Sequence, residues 1–189
     1  MGMVSVVQAA ERSRKDGLVE LCAQGNEAAW RRFYFEHERL ARRFLYRLGV
    51  EADSLDDACQ DVFVEAFRYL PDYRGEASLT TWLYRLCLTQ ARRMRNKRRL
   101  QRALSLLLRR DHERTTAGDL APEQASALLR EGLAELTEQE RAVFVLFELE
   151  GQAGTTIAEV LGCPEATIFR RLHYARKKFQ AFIEGRRGA

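Results

Sequence analysis

A chain of 189 residues, 46% hydrophobic and 31% charged, has room for one mid-sized domain or two small ones with real cores. Only 3 prolines and 12 glycines among abundant Leu, Ala, Arg and Glu exclude low complexity and favour helices. The net charge is +4, and no apolar run approaches the roughly 18 residues of a membrane-spanning helix, so direct membrane insertion is not expected.

Met1 to Arg14 lack the apolar stretch of a signal peptide, Val4–Val7 being their most hydrophobic part, so a cytoplasmic location is expected. Residues 1–15 read as a tail. Asp16 can then cap a short helix that turns Leu18, Val19, Leu21 and Cys22 inward and ends at Gly25. Asn26 caps a longer helix whose stripe Trp30, Phe33, His37, Leu40, Phe44, Leu48 recurs every three or four residues. His37 in that stripe reads as a packed histidine.

Asp53 or Ser54 is placed to cap the next helix, the cleanest amphipathic one in the chain. Leu55, Ala58, Cys59, Val62, Phe63, Ala66, Phe67 and Leu70 share one face, and Asp56, Asp57, Gln60, Asp61, Glu65 and Arg68 the other. Pro71 breaks it. After the loop Asp72–Ala77, Ser78 can cap a helix burying Leu79, Trp82, Leu83 and Leu86. From Arg92 onward that helix becomes a basic rod with Arg93, Arg95, Lys97, Arg98, Arg99 and Arg102.

Residues 103–122 read as a linker between a first domain at 16–102 and a second at 123–185. The patch Leu104–Leu108 could pack locally or touch a partner. Pro122 stands at a helix start, and Ala125, Leu128, Leu129 and Leu133 share an apolar face. Thr137 and Glu140 have the spacing of a capping box ahead of Ala142, Val143, Leu146 and Phe147. Thr155 to Lys178 has helix-turn-helix proportions: Ile157, Ala158 and Leu161 face inward, Gly162 and Pro164 make the turn, and Ile168, Leu172 and Ala175 line the second helix. The expected fold is all-α: two small helical domains joined by a linker, the second carrying the helix-turn-helix.

Charge is segregated. Ala91 to Arg110 holds nine Lys or Arg and no acid, whereas Glu51 to Glu65 holds six acids and no base. Cations along a helix suit nucleic-acid phosphates, and arginine in a groove can pair with guanine. Aromatic rings beside them, Tyr73, Trp82 and Tyr84, suit unstacked bases, although Trp82 shares a face with leucines and is expected to be buried. The acidic face would repel DNA and fits a basic protein. Cys22, Cys59, Cys87 and Cys163 form no CxxC pair, and the first three, beside apolar residues in helical patterns, read as reduced core thiols; His37, His112 and His173 have no metal-ligand spacing, so no metal or cofactor is expected. No phosphate-binding or nucleophile-elbow motif invites an enzyme or a small-molecule substrate.

The residues resemble the extracytoplasmic-function, or group four, sigma factors of bacterial RNA polymerase, from about Leu18 to Ile183. Leu18 to Trp30 looks like the opening of sigma region two. Asp57 to Phe63 is similar to the helix that grips the polymerase clamp, and Thr81 to Leu86 to the start of the promoter-melting helix. Leu161-Gly162-Cys163-Pro164, with Thr167-Ile168 and Ala175-Arg176, is similar to the turn and recognition helix of region four. The resemblance implies core polymerase binding by Asp57, Gln60, Asp61, Val64 and Glu65. It implies minus-ten promoter contacts by Tyr73, Arg74, Ser78, Tyr84, Arg85, Thr89, Arg92, Arg93, Asn96 and Lys97, and minus-thirty-five contacts by Thr167, Phe169, Arg170, Arg171, Tyr174 and Lys178. It also implies a sequestering anti-sigma factor and no chemistry by the chain itself. Three positions depart from the family's habit: Thr89 where Asn is common, Ala153-Gly154 where Ser-Tyr is common, and Phe169 where Lys or Arg is frequent. Two other readings use fewer of these features. One is a polymerase-independent regulator relying on the helix-turn-helix, and the other a nuclease using Asp56 and Asp61.

Overall fold

The computed structural model describes residues 17–75, 77–107 and 124–187, so Asp16, Glu76, Leu108, Pro122 and most of the expected linker lie outside the described residues. Every regular element among the described residues is helical. Helix α1 covers residues 17–23. It is followed by α2 (Glu27–Arg47), α3 (Leu55–Tyr69) and α4 (Leu79–Leu107), then α5 (Gln124–Ala134), α6 (Glu138–Phe144), α7 (Gly154–Leu161) and α8 (Glu165–Arg187).

Side-chain caps set several of these starts. Asn26 Oδ1 accepts from the Ala29 N–H at 3.0 Å to open α2. Ser78 Oγ accepts from the Thr81 N–H at 3.0 Å ahead of α4. At α6 the Thr137 N–H donates to Glu140 at 2.9 Å, and the Glu140 N–H to Thr137 Oγ1 at 3.4 Å. Thr137→Ala is therefore expected to cost about 1 kcal/mol in urea denaturation. An unchanged midpoint would mean that water serves the freed Glu140 N–H equally well.

Helix α3 starts differently from the expectation. Neither Asp53 nor Ser54 caps it with a side chain; a 3-10 turn at Ala52–Ser54 leads in, its backbone donors satisfied by Glu51 and Ala52 carbonyls. Two further boundaries move. Helix α4 runs to Leu107, past the expected end at Arg102. Helix α6 gives way at Phe144 to a wider π turn, Val145–Leu149, which leaves Phe147 half-buried where burial was expected.

Helices α2, α3 and α4 enclose a core of Phe33, Phe44, Leu45, Ala58, Val62, Ala66, Leu83 and Cys87. Burying each large apolar side chain there contributes about 1.5–3 kcal/mol. His37 stacks on Phe33 with Nδ1 2.9 Å from the Phe33 carbonyl, a satisfied core histidine. Trp82 is half-buried rather than enclosed. The thiols are unpaired, and burial pushes Cys59 up to about 11 and Cys87 higher still, which keeps both protonated and unreactive.

In the second unit Leu133, Val143, Leu146, Ile157, Val160, Ile168, Leu172 and Ala175 meet. Gly162 adopts φ +62°, the left-handed conformation that turns α7 sharply into α8. The two units touch each other, with α7 lying against α4.

Candidate functional site

The exposed face of α3 carries the expected acidic ridge, and much of it is spoken for. Asp56 pairs with Arg42 of α2, Asp61 accepts from Gln90 at 2.6 Å, and Glu65 pairs with Arg93 of α4. The Gln90 amide is buried, so Asp61 helps hold α3 to α4 as well as facing solvent. Asp57, Gln60 and Val64 are exposed, and Asp57 has no ion-pair partner among the described residues. Around Gln60 and Val64 a groove of about 840 Å³ opens between α2 and α3, lined also by Tyr34, Phe63 and Phe67. Opposite charges that stand apart in the sequence therefore partly neutralise each other in space. No group of three His, Cys, Asp or Glu that could hold a metal occurs among the described residues.

Helix α4 distributes its expected DNA contacts unevenly. Tyr84 is corrected: it is 1% exposed, its ring 4.5 Å from Phe44, because its position falls on the buried face of the helix. Burial and the Glu150 carboxylate raise its phenol far above the ordinary range, so it remains a hydrogen donor. The Thr89 hydroxyl donates to the Arg85 carbonyl at 2.9 Å, and Ser78 is engaged as a cap. The Tyr73 hydroxyl donates to the Ala77 carbonyl and its ring sits 5.8 Å from Trp82, a contact that shapes the loop. Arg74, Asn96 and Lys97 are exposed.

On the recognition helix α8, Arg170, Tyr174 and Lys178 are exposed and Thr167 is half-buried. Lys178 pairs with Glu140 at 2.8 Å, and the Arg171 guanidinium donates to Cys163 Sγ at 3.3 Å. Phe169, 48% exposed, turns part of its ring back toward Phe147, 6.3 Å away. A Cβ on Gly154 would stand 2.9 Å from that ring and 2.7 Å from Glu165 Oε1. Gly154 and Phe169, two of the departures noted in the sequence, thus share one space.

Sequence reasoning missed the residues that join the units. Glu150, immediately after the π turn, has a side chain only 3% exposed. Its carboxylate accepts from Arg43 at 2.9 Å, Arg47 at 2.5 Å and the Tyr84 hydroxyl at 3.1 Å. Glu138 meets Arg92 at 2.6 Å and Arg95 at 2.8 Å. Arg85 donates to the Glu159 carbonyl at 2.9 Å, Arg141 to the Leu48 carbonyl at 3.2 Å, and Arg130 lies 4.7 Å over the Tyr46 ring. Glu150 and Arg141 have no short-range sequence pattern that could have marked them.

A helix-turn-helix unit packed against a helical unit that carries an acidic ridge and a cationic rod is an arrangement suited to reading DNA. Residues 33–103 match the family "Sigma-70 region 2", and residues 126–179 match "Sigma-70, region 4". The chain is 25% identical over 186 residues to the ECF RNA polymerase sigma-E factor of Haemophilus influenzae, covering 93% of this chain and 98% of that protein. It is 28% identical over 179 residues to the RNA polymerase sigma-H factor of Pseudomonas aeruginosa, covering 88% and 92%. Two solved structures share the fold: CnrH in complex with the cytosolic domain of CnrY (TM-score 0.67, 24% identity, 89% of this chain and 96% of that one) and the sigma factor RpoE in complex with the anti-sigma factor NepR from Bartonella quintana (0.67, 18%, 82% and 96%). The chain belongs to the sigma-70 family, in its extracytoplasmic-function group. It is a sigma factor, the component that directs RNA polymerase to promoters and to transcription initiation.

Proposed function

We propose that Asp57, Gln60 and Val64, extended by Asp61 and Glu65, form the surface that docks on core polymerase. The observation that carries this is the exposed Asp57 beside a largely apolar groove at Gln60 and Val64, whose lining Arg42 and Arg68 leave Asp57 as the acidic group offered to a basic protein helix. Arg74, Arg85, Arg92, Arg93, Asn96 and Lys97 then meet the minus-ten element, with Tyr73, Ser78 and Thr89 shaping the loop and helix that present them. Arg170, Arg171, Thr167, Tyr174 and Lys178 meet the minus-thirty-five element, and Phe169 offers an apolar edge there. These roles fall within domains at 16–102 and 123–185, the last helix of the first running on to Leu107.

The chain acts inside the cell without bond chemistry of its own, nucleotide addition belonging to the polymerase. An anti-sigma factor, like the NepR bound to RpoE of Bartonella quintana, is a further partner.

The decisive experiment is permanganate footprinting of promoter DNA. Unpaired thymines are expected only when core polymerase and this chain are both present, and reactivity with either alone would overturn the assignment. The docking surface has its own test. Asp57→Lys is expected to weaken core binding about tenfold, about 1.4 kcal/mol, with an unchanged melting temperature. Asp61→Lys is the poorer probe, because it also strips the buried Gln90 amide of its acceptor. Undiminished core affinity in Asp57→Lys would remove the ridge from the interface.

A further inference from the structure

We infer that Phe169 makes α8 a reader of thymine. Its ring meets the C5-methyl group of a thymine in the major groove of the minus-thirty-five element, and Gly154 of α7 keeps open the space that aims it. The inference deepens the assignment of α8 to that element and rests on it.

Position comes first. In a helix-turn-helix the opening turns of the second helix meet base edges. Helix α8 starts at Glu165, so Phe169 opens its second turn. Ala166, Phe169 and Arg170 are exposed there, whereas Ile168 and Leu172 are buried in the core of the unit. The helical phase thus turns Phe169 away from the core, on the side where DNA would lie.

Chemistry narrows what the ring can read. A phenyl group has no charge and no donor, so it serves neither a phosphate nor the hydrogen-bonding edge of guanine or adenine. The feature of the major groove that it fits is the thymine methyl. Arg170 and Lys177, both exposed and two turns apart, supply cations for phosphates on the same side of the helix. They contribute affinity, which leaves Phe169 to select.

A single exposed aromatic is ordinary on a protein surface. This one is braced. Phe169 stands edge-on to Phe147, with centroids 6.3 Å apart and planes at 74°. Phe147 in turn lies 5.4 Å beneath the Arg176 guanidinium, which Glu148 holds at 2.6 Å. A Cβ on Gly154 would stand 2.9 Å from Phe169 Cζ and 3.3 Å from Cε2. Gly154 is buried and is not one of the glycines with positive φ, so space rather than backbone conformation calls for the missing side chain. The ring is therefore ordered before DNA arrives and yet 48% exposed. A side chain already held in place loses less rotamer freedom on binding.

The experiment uses holoenzyme reconstituted from core polymerase and the full-length chain. A promoter library randomised across the minus-thirty-five element yields the enriched bases. Each enriched thymine is then replaced in turn by deoxyuridine, which differs only in lacking the methyl group. At one of these positions the parent is expected to lose affinity about fourfold, about 0.8 kcal/mol, the contribution of one buried methyl. Phe169→Ala should bind thymine and uracil there equally, and Phe169→Arg should move the preference at that base pair to guanine. Gly154→Ala pushes the ring and the Glu165 carboxylate, both movable side-chain ends, and should shrink the uracil penalty while the melting temperature stays near the parent's.

An enriched element in which no thymine is sensitive to uracil would overturn the role of Phe169 and leave the assignment of α8 standing. The same uracil penalty in Phe169→Ala would give the methyl to another residue and also overturn it. A full penalty in Gly154→Ala would overturn the part given to Gly154. A library with no enriched bases upstream would sink the minus-thirty-five assignment, and the thymine contact with it. The uracil comparison in the parent needs no variant, so it decides even if a substituted chain fails to fold.

Discussion

Phe44→Ala is expected to destabilise the chain by about 3–5 kcal/mol, a large share of the stability that holds a small domain together. The ring is fully enclosed and stands 4.5 Å from Tyr84, so it fills the space between α2 and α4. Truncation removes its own transfer energy and leaves a hollow that Leu83 and Leu45, themselves buried, cannot collapse into without leaving their own sites. Tyr84 also loses its support, and with it the alignment of its hydroxyl on Glu150. Calorimetry should show a melting temperature lower by roughly 10 °C. A cost below about 1 kcal/mol would mean that the core repacks freely, against the density expected of protein interiors. Phe44→Leu, which retains most of the volume, should lie well below the alanine variant.

Arg141→Ala is expected to cost about 2–4 kcal/mol, although the side chain is neither apolar nor fully buried. Its guanidinium donates to the carbonyls of Leu133 at 2.6 Å, Ala134 at 3.3 Å and Leu136 at 3.1 Å, closing the last turn of α5. Terminal helix carbonyls lack intrahelical donors, and a cation among them also faces the favourable end of the helix dipole. The same group reaches the Leu48 carbonyl across the inter-unit boundary. Burial lowers its pKa, yet a guanidinium stays charged at any pH where the fold persists. Arg141→Lys should restore little, because one ammonium cannot span carbonyls that a planar fork addresses together. Urea denaturation of the full chain measures this, and a lysine variant as stable as the parent would refute the fork argument. Gly49 belongs to the same arrangement. Its φ is +92°, and a Cβ there would stand 2.5 Å from Arg141 Nη1, so the close approach depends on the missing side chain.

The sequence made the helices legible because their starts and faces are written in local chemistry. Asn26, Ser78 and the Thr137–Glu140 pair cap helices as their spacing implies, and the helix-turn-helix folds around Ile157, Ile168 and Leu172. The acidic ridge and the basic rod were equally visible as runs of one sign. That the runs pair with each other, Glu65 with Arg93 and Glu51 with Arg98, was not, since adjacency of α3 and α4 is a tertiary fact. Tyr84, an aromatic among cations, resembles a base-stacking residue in the sequence, whereas its helical phase turns it inward. Glu150 was hidden twice. It follows a π turn, which breaks the 3.6-residue period used to project faces, and its partners Arg43 and Arg47 lie more than a hundred positions upstream.

That separation also orders events during synthesis. Glu150 follows Arg43 by 107 positions, and ribosomes add about 5–20 residues per second. Helices α1 to α4 therefore leave the ribosome seconds before the carboxylate that pairs with α2 and α4. The newborn N-terminal half thus folds with Arg43 and Arg47 still facing water, and gains their shared carboxylate only afterwards.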